Sequence, residues 1–135
     1  MFCFDTDVLS AVLRRDPPLA LVRRLAGLSP DEQFTTSITL GEMLYGATRR
    51  GSAELTQRVH ELLGQAVTIL SFDEAAAEVY GPLRARLEAG GTPLAEPDLR
   101  IASIALSRDL TVVSGNLRHF RRVPGLAVEN WLDAG

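Results

Sequence analysis

Acidic and amide side chains recur in this sequence where predicted strands end or predicted helices begin. Asp5 follows the apolar run Met1–Phe4, and Asn116 follows another apolar segment. Glu42 lies about a turn into one predicted helix, and Asp98 opens another. Carboxylates that are brought together repel each other unless a cation lies among them, and oxygen ligands without Cys or His favour Mg²⁺ or Mn²⁺ over zinc. Because such an ion can activate water and hold a phosphate, the chemistry implied is metal-assisted hydrolysis of a phosphodiester.

Each of these residues also has a purely structural interpretation, which the sequence leaves open. Asp5 and Asp98 have the type and position of helix N-caps. Asp7 is typical of a first helical turn, where the helix dipole favours an acid. Glu42 borders an apolar stripe and would then face solvent, while Asn116 fits a turn. Only the joint placement of these residues at strand ends favours a metal-binding site over these structural roles.

Five apolar segments predict the strands that would position these residues. The predicted strands comprise residues 1–4, 33–37, 67–72, 110–114 and 126–129. They alternate with helical segments, which predicts a mostly parallel sheet covered on both faces, in one domain over residues 1–135. Ligand sites of such sheets lie at the carboxyl ends of the strands, so the residues above would meet at one edge.

The helices are predicted from apolar spacing and from capping residues. Thr6 or Asp7 is expected to cap the first helix, and Asp73 a long helix that Pro82 would kink or break. The segment 115–124 is expected to be a loop. The remaining helices are predicted to begin near residues 19, 39, 55 and 98.

Composition sets outer limits on function. The 135 residues carry 14 basic side chains, all arginine, against 17 acidic ones, for a net charge of -3. Taken alone, this charge does not indicate a nucleic-acid partner. No apolar run approaches the roughly 20 residues of a membrane span, and the N-terminus lacks the features of a signal peptide. The single cysteine, Cys3, is expected to be a core residue in a cytoplasmic protein.

Several longer segments together form a recognisable pattern that covers most of the chain. They are FDTDVLS (4–10), SITLGEMLYGA (37–47), ILSFDEAAAEVYGPLRARLEAGG (69–91), PDLRIASIAL (97–106), LTVVSGNLRHFRRVPGL (110–126) and VENW (128–131). In order and spacing, the sequence resembles the PIN-domain nucleases, and within them the VapC-like toxins of bacterial toxin–antitoxin pairs.

This resemblance implies a three-layer α/β/α sandwich with about five strands and an endoribonuclease that depends on Mg²⁺ or Mn²⁺. It implies that Asp5, Glu42 and Asp98 are the acidic metal-binding residues and that the products carry 5′-phosphate and 3′-hydroxyl ends. Asn116 stands where many relatives have a fourth acid, and His119 where relatives often have Asp. We therefore expect one tightly held metal, with a second needing the RNA phosphate to complete its shell.

Further residues are expected to support the site by resemblance and position. Asp7 would lie at its edge, while Ser37 and Thr39 would orient Glu42 or a water. Arg84 and Arg100 are candidates for positioning acids or phosphate.

The segment 118–122 is the most basic part of the chain. Its side chains Arg118, His119, Arg121 and Arg122 are expected to contact phosphate or a partner, because arginine favours bidentate phosphate contacts. Phe120, among them, is expected to be buried, although an aromatic ring there would also suit stacking on an unpaired base.

Two alternatives remain open beside the nuclease. Asp5-Thr6-Asp7 resembles the nucleophile motif of haloacid-dehalogenase-type phosphatases, but the chain has neither a lysine nor the late acid pair of that family. A degenerate PIN-like domain that only binds RNA or a partner is suggested by the neutral amide of Asn116.

Partners follow from the resemblance. It implies a VapB-like antitoxin, an RNA substrate, a homodimer and a higher toxin–antitoxin assembly, without a membrane. The segments 19–28 and 40–45 offer apolar surface for the protein contacts. The target RNA depends on loop shape and groove width, which the sequence does not specify.

Overall fold

Five short strands form the centre of the molecule, in a computed structural model that describes residues 1–133. They are β1 (Phe2–Phe4), β2 (Gln33–Thr36), β3 (Thr68–Leu70), β4 (Thr111–Val113) and β5 (Val128–Glu129). The sheet order is β3-β2-β1-β4-β5, and every pairing is parallel. The prediction of a mostly parallel sheet of about five strands is therefore confirmed.

Helices cover both faces of this sheet. They are α1 (Thr6–Val12), α2 (Leu19–Ala26), α3 (Ser37–Arg49), α4 (Ala53–Leu62), α5 (Glu74–Ala89), α6 (Glu96–Ser107) and α7 (Leu117–Phe120), with a short 3₁₀ helix at Pro30–Glu32. Within residues 1–133, none of them is long and apolar enough to cross a bilayer.

Alternation along the strands divides the core into two apolar clusters. Cys3 and Val112 face the cluster that α5 and α6 cover, whereas Phe4 and Val113 face the cluster covered by α1, α3 and α4. This alternation is the two-residue period of a strand, and it produces the three-layer α/β/α sandwich that the resemblance implied. Burial raises the pKa of the Cys3 thiol to about 12, in keeping with the core role expected for this residue.

Helix starts differ from the predictions at two aspartates. The N-cap of α1 is Asp5 itself, rather than Thr6 or Asp7, and its side chain accepts a hydrogen bond from the backbone N–H of Thr6. Asp98 lies inside the first turn of α6 instead of capping it, because Pro97 is accommodated in that turn and Ala95 becomes the N-cap. Both carboxylates nevertheless lie at helix N-termini, where the helix dipole favours negative charge.

Two interruptions predicted from proline and glycine also need correction. Helix α5 continues through the exposed Pro82 without a break, since packing of Ala76, Leu83 and Leu87 compensates for one lost backbone hydrogen bond. The predicted loop 115–124 contains the short helix α7, which buries Phe120 completely.

The register of β1 against its neighbours determines which residues meet at the carboxyl edge. Phe4 pairs with Val113, and the backbone N–H of the next residue, Asp5, donates to the Val113 carbonyl at 3.0 Å. Asp5 therefore lies beside Ser114. Strand β2 pairs on one side of β1, and β4 pairs on the other side, so the strand order reverses between β1 and β4. The carboxyl ends of these two strands therefore border the crevice in which open α/β sheets bind ligands.

Candidate active site

Asp5 is a buried carboxylate at the end of the central strand, and its residue is only 6% exposed. Oδ1 accepts a hydrogen bond from the Thr6 backbone N–H, and Oδ2 accepts one from the Ser114 hydroxyl, both at 2.8 Å. Burial is the main reason that the pKa of Asp5 is raised to about 6 despite these hydrogen bonds, and the charges of Asp7 and Asp98 contribute to the rise. Asp5 is thus held in one orientation, in a place where a positive charge would stabilise its ionised form.

The Ser114 hydroxyl links the ends of β1 and β4. Besides donating to Asp5, it accepts the backbone N–H of Asn116 at 2.9 Å. Ser114 is fully buried, so neither bond competes with water. Sequence reasoning placed Ser114 at a strand end without assigning it a role; the signal available was a serine directly after the buried pair Val112 and Val113.

Thr6 connects Asp5 to the second acid of the site, a role that sequence reasoning also missed. Its hydroxyl donates to Oε1 of Glu42 at 2.7 Å and lies 3.4 Å from the Thr39 hydroxyl. Thr39 is in turn buried and close to Thr36, whose side chain caps α3. The expected orientation of Glu42 by Thr39 is therefore indirect and passes through Thr6. Glu42 itself is exposed and faces solvent.

Asp98, His119 and Asn116 form the third part of the site. Nδ1 of His119 lies 2.7 Å from Nδ2 of Asn116 and 3.6 Å from Oδ2 of Asp98. A neutral imidazole accepts the amide hydrogen at Nδ1. The two residues that stand where relatives carry acids thus contact each other, and the oxygen of the Asn116 side chain is not used in this contact.

Asp7 also contacts the loop after β4. Its Oδ2 accepts the Gly115 backbone N–H at 2.9 Å, and its buried Oδ1 has no hydrogen-bond partner within residues 1–133. Burial raises the pKa of Asp7, and the charge of Asp98 adds to this effect. A Cβ atom on Gly115 would lie 2.7 Å from Oδ2 of Asp7 and 2.9 Å from Cδ1 of Leu132, so a larger residue here would have to displace these side chains.

The remaining predicted site residues lie farther from this centre. Ser37 is the first residue of α3, and within residues 1–133 its side chain makes no hydrogen bond. Arg84 and Arg100 both approach Glu96, with Arg100 at 3.0 Å and Arg84 at 3.8 Å, and Arg84 also contacts Glu88 at 3.0 Å. The two arginines are therefore paired with acids outside the candidate metal set.

The basic segment after β4 divides into exposed and structural residues. Arg118 and Arg121 are exposed, whereas Arg122 donates to the Pro93 carbonyl at 2.9 Å. Phe120 is fully buried, as preferred from the sequence, and cannot stack on a base. Arg118 and Arg121 are therefore the two arginines of this segment that are exposed.

The donor set fits a hard divalent cation by its chemistry and charge. Asp5, Asp7 and Asp98 are close enough for the charges of Asp7 and Asp98 to raise the pKa of Asp5. All these donors are oxygens, the ligands that Mg²⁺ and Mn²⁺ prefer. As the side chains stand, however, no three His, Cys, Asp or Glu residues in the described part of the chain surround one point.

The parallel sheet, covered by helices and with an acid-lined crevice at its switch point, defines the class as an α/β protein, and comparison with known proteins specifies the family. Residues 2–126 match the PIN domain family. The chain is 35% identical over 130 residues to a protein of Salmonella typhimurium named tRNA(fMet)-specific endonuclease VapC, with 96% of this chain and 97% of that protein covered. It is 34% identical over 131 residues to Ribonuclease VapC2 of Haemophilus influenzae, with 97% and 98% covered.

Solved structures agree with these sequence relationships. A chain in the crystal structure of VapBC2 from Rickettsia felis, bound to a DNA fragment from its promoter, superposes with a TM-score of 0.84 at 28% identity. The match covers 96% of this chain and 98% of that one. The protein belongs to the PIN domain family, and within it to the VapC group.

Proposed function

We propose that this protein is an endoribonuclease that depends on Mg²⁺ or Mn²⁺ and acts as the toxin of a toxin–antitoxin pair. The observation that carries the proposal is Asp5, a buried carboxylate held by Ser114 and the Thr6 backbone, with two further aspartates raising its pKa. The 35% identical relative is named an endonuclease specific for tRNA(fMet), and the match spans nearly the whole of both chains. The RNA that this chain cleaves is left open.

Asp5, Asp98 and Glu42 would hold the metal, which supplies charge neutralisation and lowers the pKa of a bound water when present. Ser114 and the Thr6 backbone keep both oxygens of Asp5 in place while the reaction proceeds. Preorganised charges of this kind need no rearrangement as the phosphate develops negative charge. The amide oxygen of Asn116 can add a neutral ligand without further charge.

One carboxylate of the site accepts a proton from the attacking water, and Glu42 is the most exposed of the three proposed metal-binding acids. Thr6 occupies its Oε1, while Oε2 makes no hydrogen bond within residues 1–133 and the side chain faces solvent. The water oxygen forms a bond to phosphorus as the bond from phosphorus to the 3′ oxygen breaks. The 3′ oxygen takes up a proton, which leaves a 3′-hydroxyl and a 5′-phosphate. Positioning and charge neutralisation supply most of the acceleration.

Cleavage of single-stranded RNA by the purified, antitoxin-free chain tests the proposal. Asp5→Ala and Asp98→Ala should abolish metal-dependent cleavage while circular dichroism remains that of the parent. Glu78→Ala, which removes an exposed acid from α5, is the matched control and should leave cleavage unchanged. Cleavage that persists in the Asp5 and Asp98 variants would contradict the proposal.

A domain that only binds RNA or a partner is the alternative that Asn116 and the spread acids favour. It predicts that the parent binds no Mn²⁺ in calorimetry and cuts no RNA. The phosphatase alternative predicts turnover of a phosphomonoester, so a parallel assay with p-nitrophenyl phosphate separates it from the nuclease.

We also propose a small VapB-like antitoxin as the partner, acting on this chain in the cytoplasm, with homodimers in a larger assembly. The related structures from Rickettsia felis and Salmonella typhimurium are VapBC complexes bound to DNA. Leu19 and Val22 on α2, and Tyr45 on α3, are large apolar side chains left exposed on segments expected to make protein contacts. A short antitoxin reading frame beside this gene, and co-purification of its product, would support the assignment.

A further inference from the structure

A groove between α1, α3 and α4 begins at the candidate active site and leads away from it. The cavity encloses about 350 Å³, within the range of small-ligand pockets. Thr6 and Glu42 form one part of its lining, and Arg14 and Arg50 form another. The groove therefore extends from Glu42, one acid of the site, to two guanidinium groups.

The position of the two arginines follows from the helices that carry them. Arg50 is the C-cap of α3, eight residues beyond Glu42, which corresponds to about 12 Å along a helix axis. Arg14 likewise follows the C-terminal end of α1, whose first residue is Thr6. Because α1 and α3 both run away from the acids, Arg14 and Arg50 each line the groove at the C-terminal end of a helix that begins near the site.

Both guanidinium groups are available for an anion. Arg24, Arg84, Arg100 and Arg108 form ion pairs with carboxylates, but within residues 1–133 Arg14 and Arg50 form none. Both residues are exposed. An arginine without a carboxylate partner keeps its planar set of donors free for the oxygens of a phosphate.

The floor of the groove suits a nucleotide as well as its phosphate. Leu13, Met43 and Leu55 line it with apolar surface, and Gly46 of α3 lines it without a side chain. A strand whose scissile phosphate lies at Asp5 can continue past Glu42 into this groove, because Glu42 and Thr6 belong to its lining.

We propose that this groove binds the RNA strand beside the cleavage site, with Arg14 and Arg50 contacting the phosphate of a neighbouring nucleotide. The inference rests on the proposed ribonuclease function, because it places the scissile phosphate at Asp5. It assigns substrate binding to a surface separate from the basic segment 118–122. An acidic protein segment would meet the same two charges and is an outcome of the test below.

The test compares two double variants that lose the same charge. Arg14→Gln/Arg50→Gln removes the groove arginines. Arg23→Gln/Arg86→Gln removes two exposed arginines from the last turns of α2 and α5, neither of which lines the groove or forms an ion pair within residues 1–133. Binding of a single-stranded oligoribonucleotide is measured in chelator, so that no metal-dependent turnover occurs, over a range of salt concentrations.

The groove variant should bind about tenfold more weakly than the control, and its slope of log K against log salt should be shallower by about 0.7, the value for one phosphate that is no longer neutralised on a single strand. With Mg²⁺, its KM should rise more than its kcat falls. Affinity and slope equal to those of the control overturn the proposal, and so does a parent chain that binds no RNA.

A parent that binds RNA with the expected arginine dependence but never cuts it would refute the nuclease and leave the groove standing. If the groove variant retains RNA binding but loses binding to a poly-glutamate peptide, the two arginines belong to an acidic protein segment, and the RNA proposal is refuted.

Discussion

Replacing Asp5 by Asn should stabilise the metal-free protein, although it removes a residue assigned to the active site. The pKa of Asp5 is raised from 3.8 to about 6, mainly by burial. A folded state with a raised pKa binds the proton more tightly than the unfolded state does. Its stabilisation is complete below about pH 4 and is lost as the pH rises through 6. At neutral pH the ionised carboxylate therefore costs about 3 kcal/mol of folding free energy, taking 1.36 kcal/mol per pKa unit.

The amide recovers most of this cost but not all of it. Asp5 accepts hydrogen bonds from the Thr6 N–H and the Ser114 hydroxyl, and an amide can accept from only one of them with its oxygen. The Ser114 hydroxyl can rotate to accept from the new NH₂ group, but it then loses its own acceptor, at a cost of about 1 kcal/mol. The net gain at pH 7 is about 2 kcal/mol. For a domain of this length, that gain corresponds to a rise of about 7 °C in Tm.

Thermal unfolding of metal-free parent and variant between pH 4 and pH 8 measures this effect. The Tm advantage of Asp5→Asn should be present at pH 7 and should vanish or reverse near pH 4, where the parent carboxyl is protonated. Asp31→Asn is the control, because Asp31 is exposed and a hydrogen bond from Ser29 lowers its pKa, so it should bring no gain. Excess Mg²⁺ should raise the Tm of the parent and leave that of Asp5→Asn almost unchanged.

A variant no more stable than the parent at pH 7, or a Tm difference independent of pH, would refute the reasoning. The first result would mean that the lost hydrogen bond outweighs the relieved burial of charge. The second would mean that another group, and not the Asp5 carboxyl, sets the difference.

Three further predictions concern residues around the carboxylates. Ser114→Ala should lower kcat or metal affinity by about 10- to 100-fold with the fold retained, because Asp5 loses the bond that orients it; unchanged Mn²⁺ titrations and kinetics would contradict this. Gly115→Ala should destabilise the chain by about 1–3 kcal/mol in urea unfolding, because its Cβ would overlap Asp7, whereas Gly41→Ala on α3 has open space and should stabilise it by up to about 1 kcal/mol. Thr6→Val should lower kcat by freeing Glu42, and Thr6→Ser should restore it; equal rates in both variants would exclude the Thr6 role.

The order of the three layers and the position of the crevice were predictable from sequence, because both depend on the pattern of apolar and polar residues. Apolar strands that alternate with amphipathic helices leave few arrangements other than a covered parallel sheet, and Asp5 directly after β1 then lies at its carboxyl edge. The length of β2 was overestimated for a local reason. Ser37 was expected to end β2, but Thr36 caps α3, so Ser37 is already the first residue of the helix.

The connections among site residues could not be predicted in this way. The bond from Thr6 to Glu42 joins residues 36 positions apart, and the bond from Ser114 to Asp5 joins residues 109 positions apart. Such pairs depend on register and rotamer, which no local pattern encodes. The break predicted at Pro82 was wrong for the opposite reason. A proline does weaken a helix locally, but the tertiary packing of α5 outweighs this effect.

The net charge of -3 is a misleading first guide to RNA binding, because the acidic and the basic side chains lie in different parts of the molecule. Acids such as Asp5 and Asp7 converge at one strand edge, where a bound cation would cancel much of their charge. Arginines with no carboxylate partner within residues 1–133, such as Arg14 and Arg50, lie at the ends of helices that lead away from that edge. With a cation bound there, a polyanion approaching the crevice would meet a neutralised centre with positive charge beside it. The salt dependence of RNA binding should follow those arginines and not the total charge.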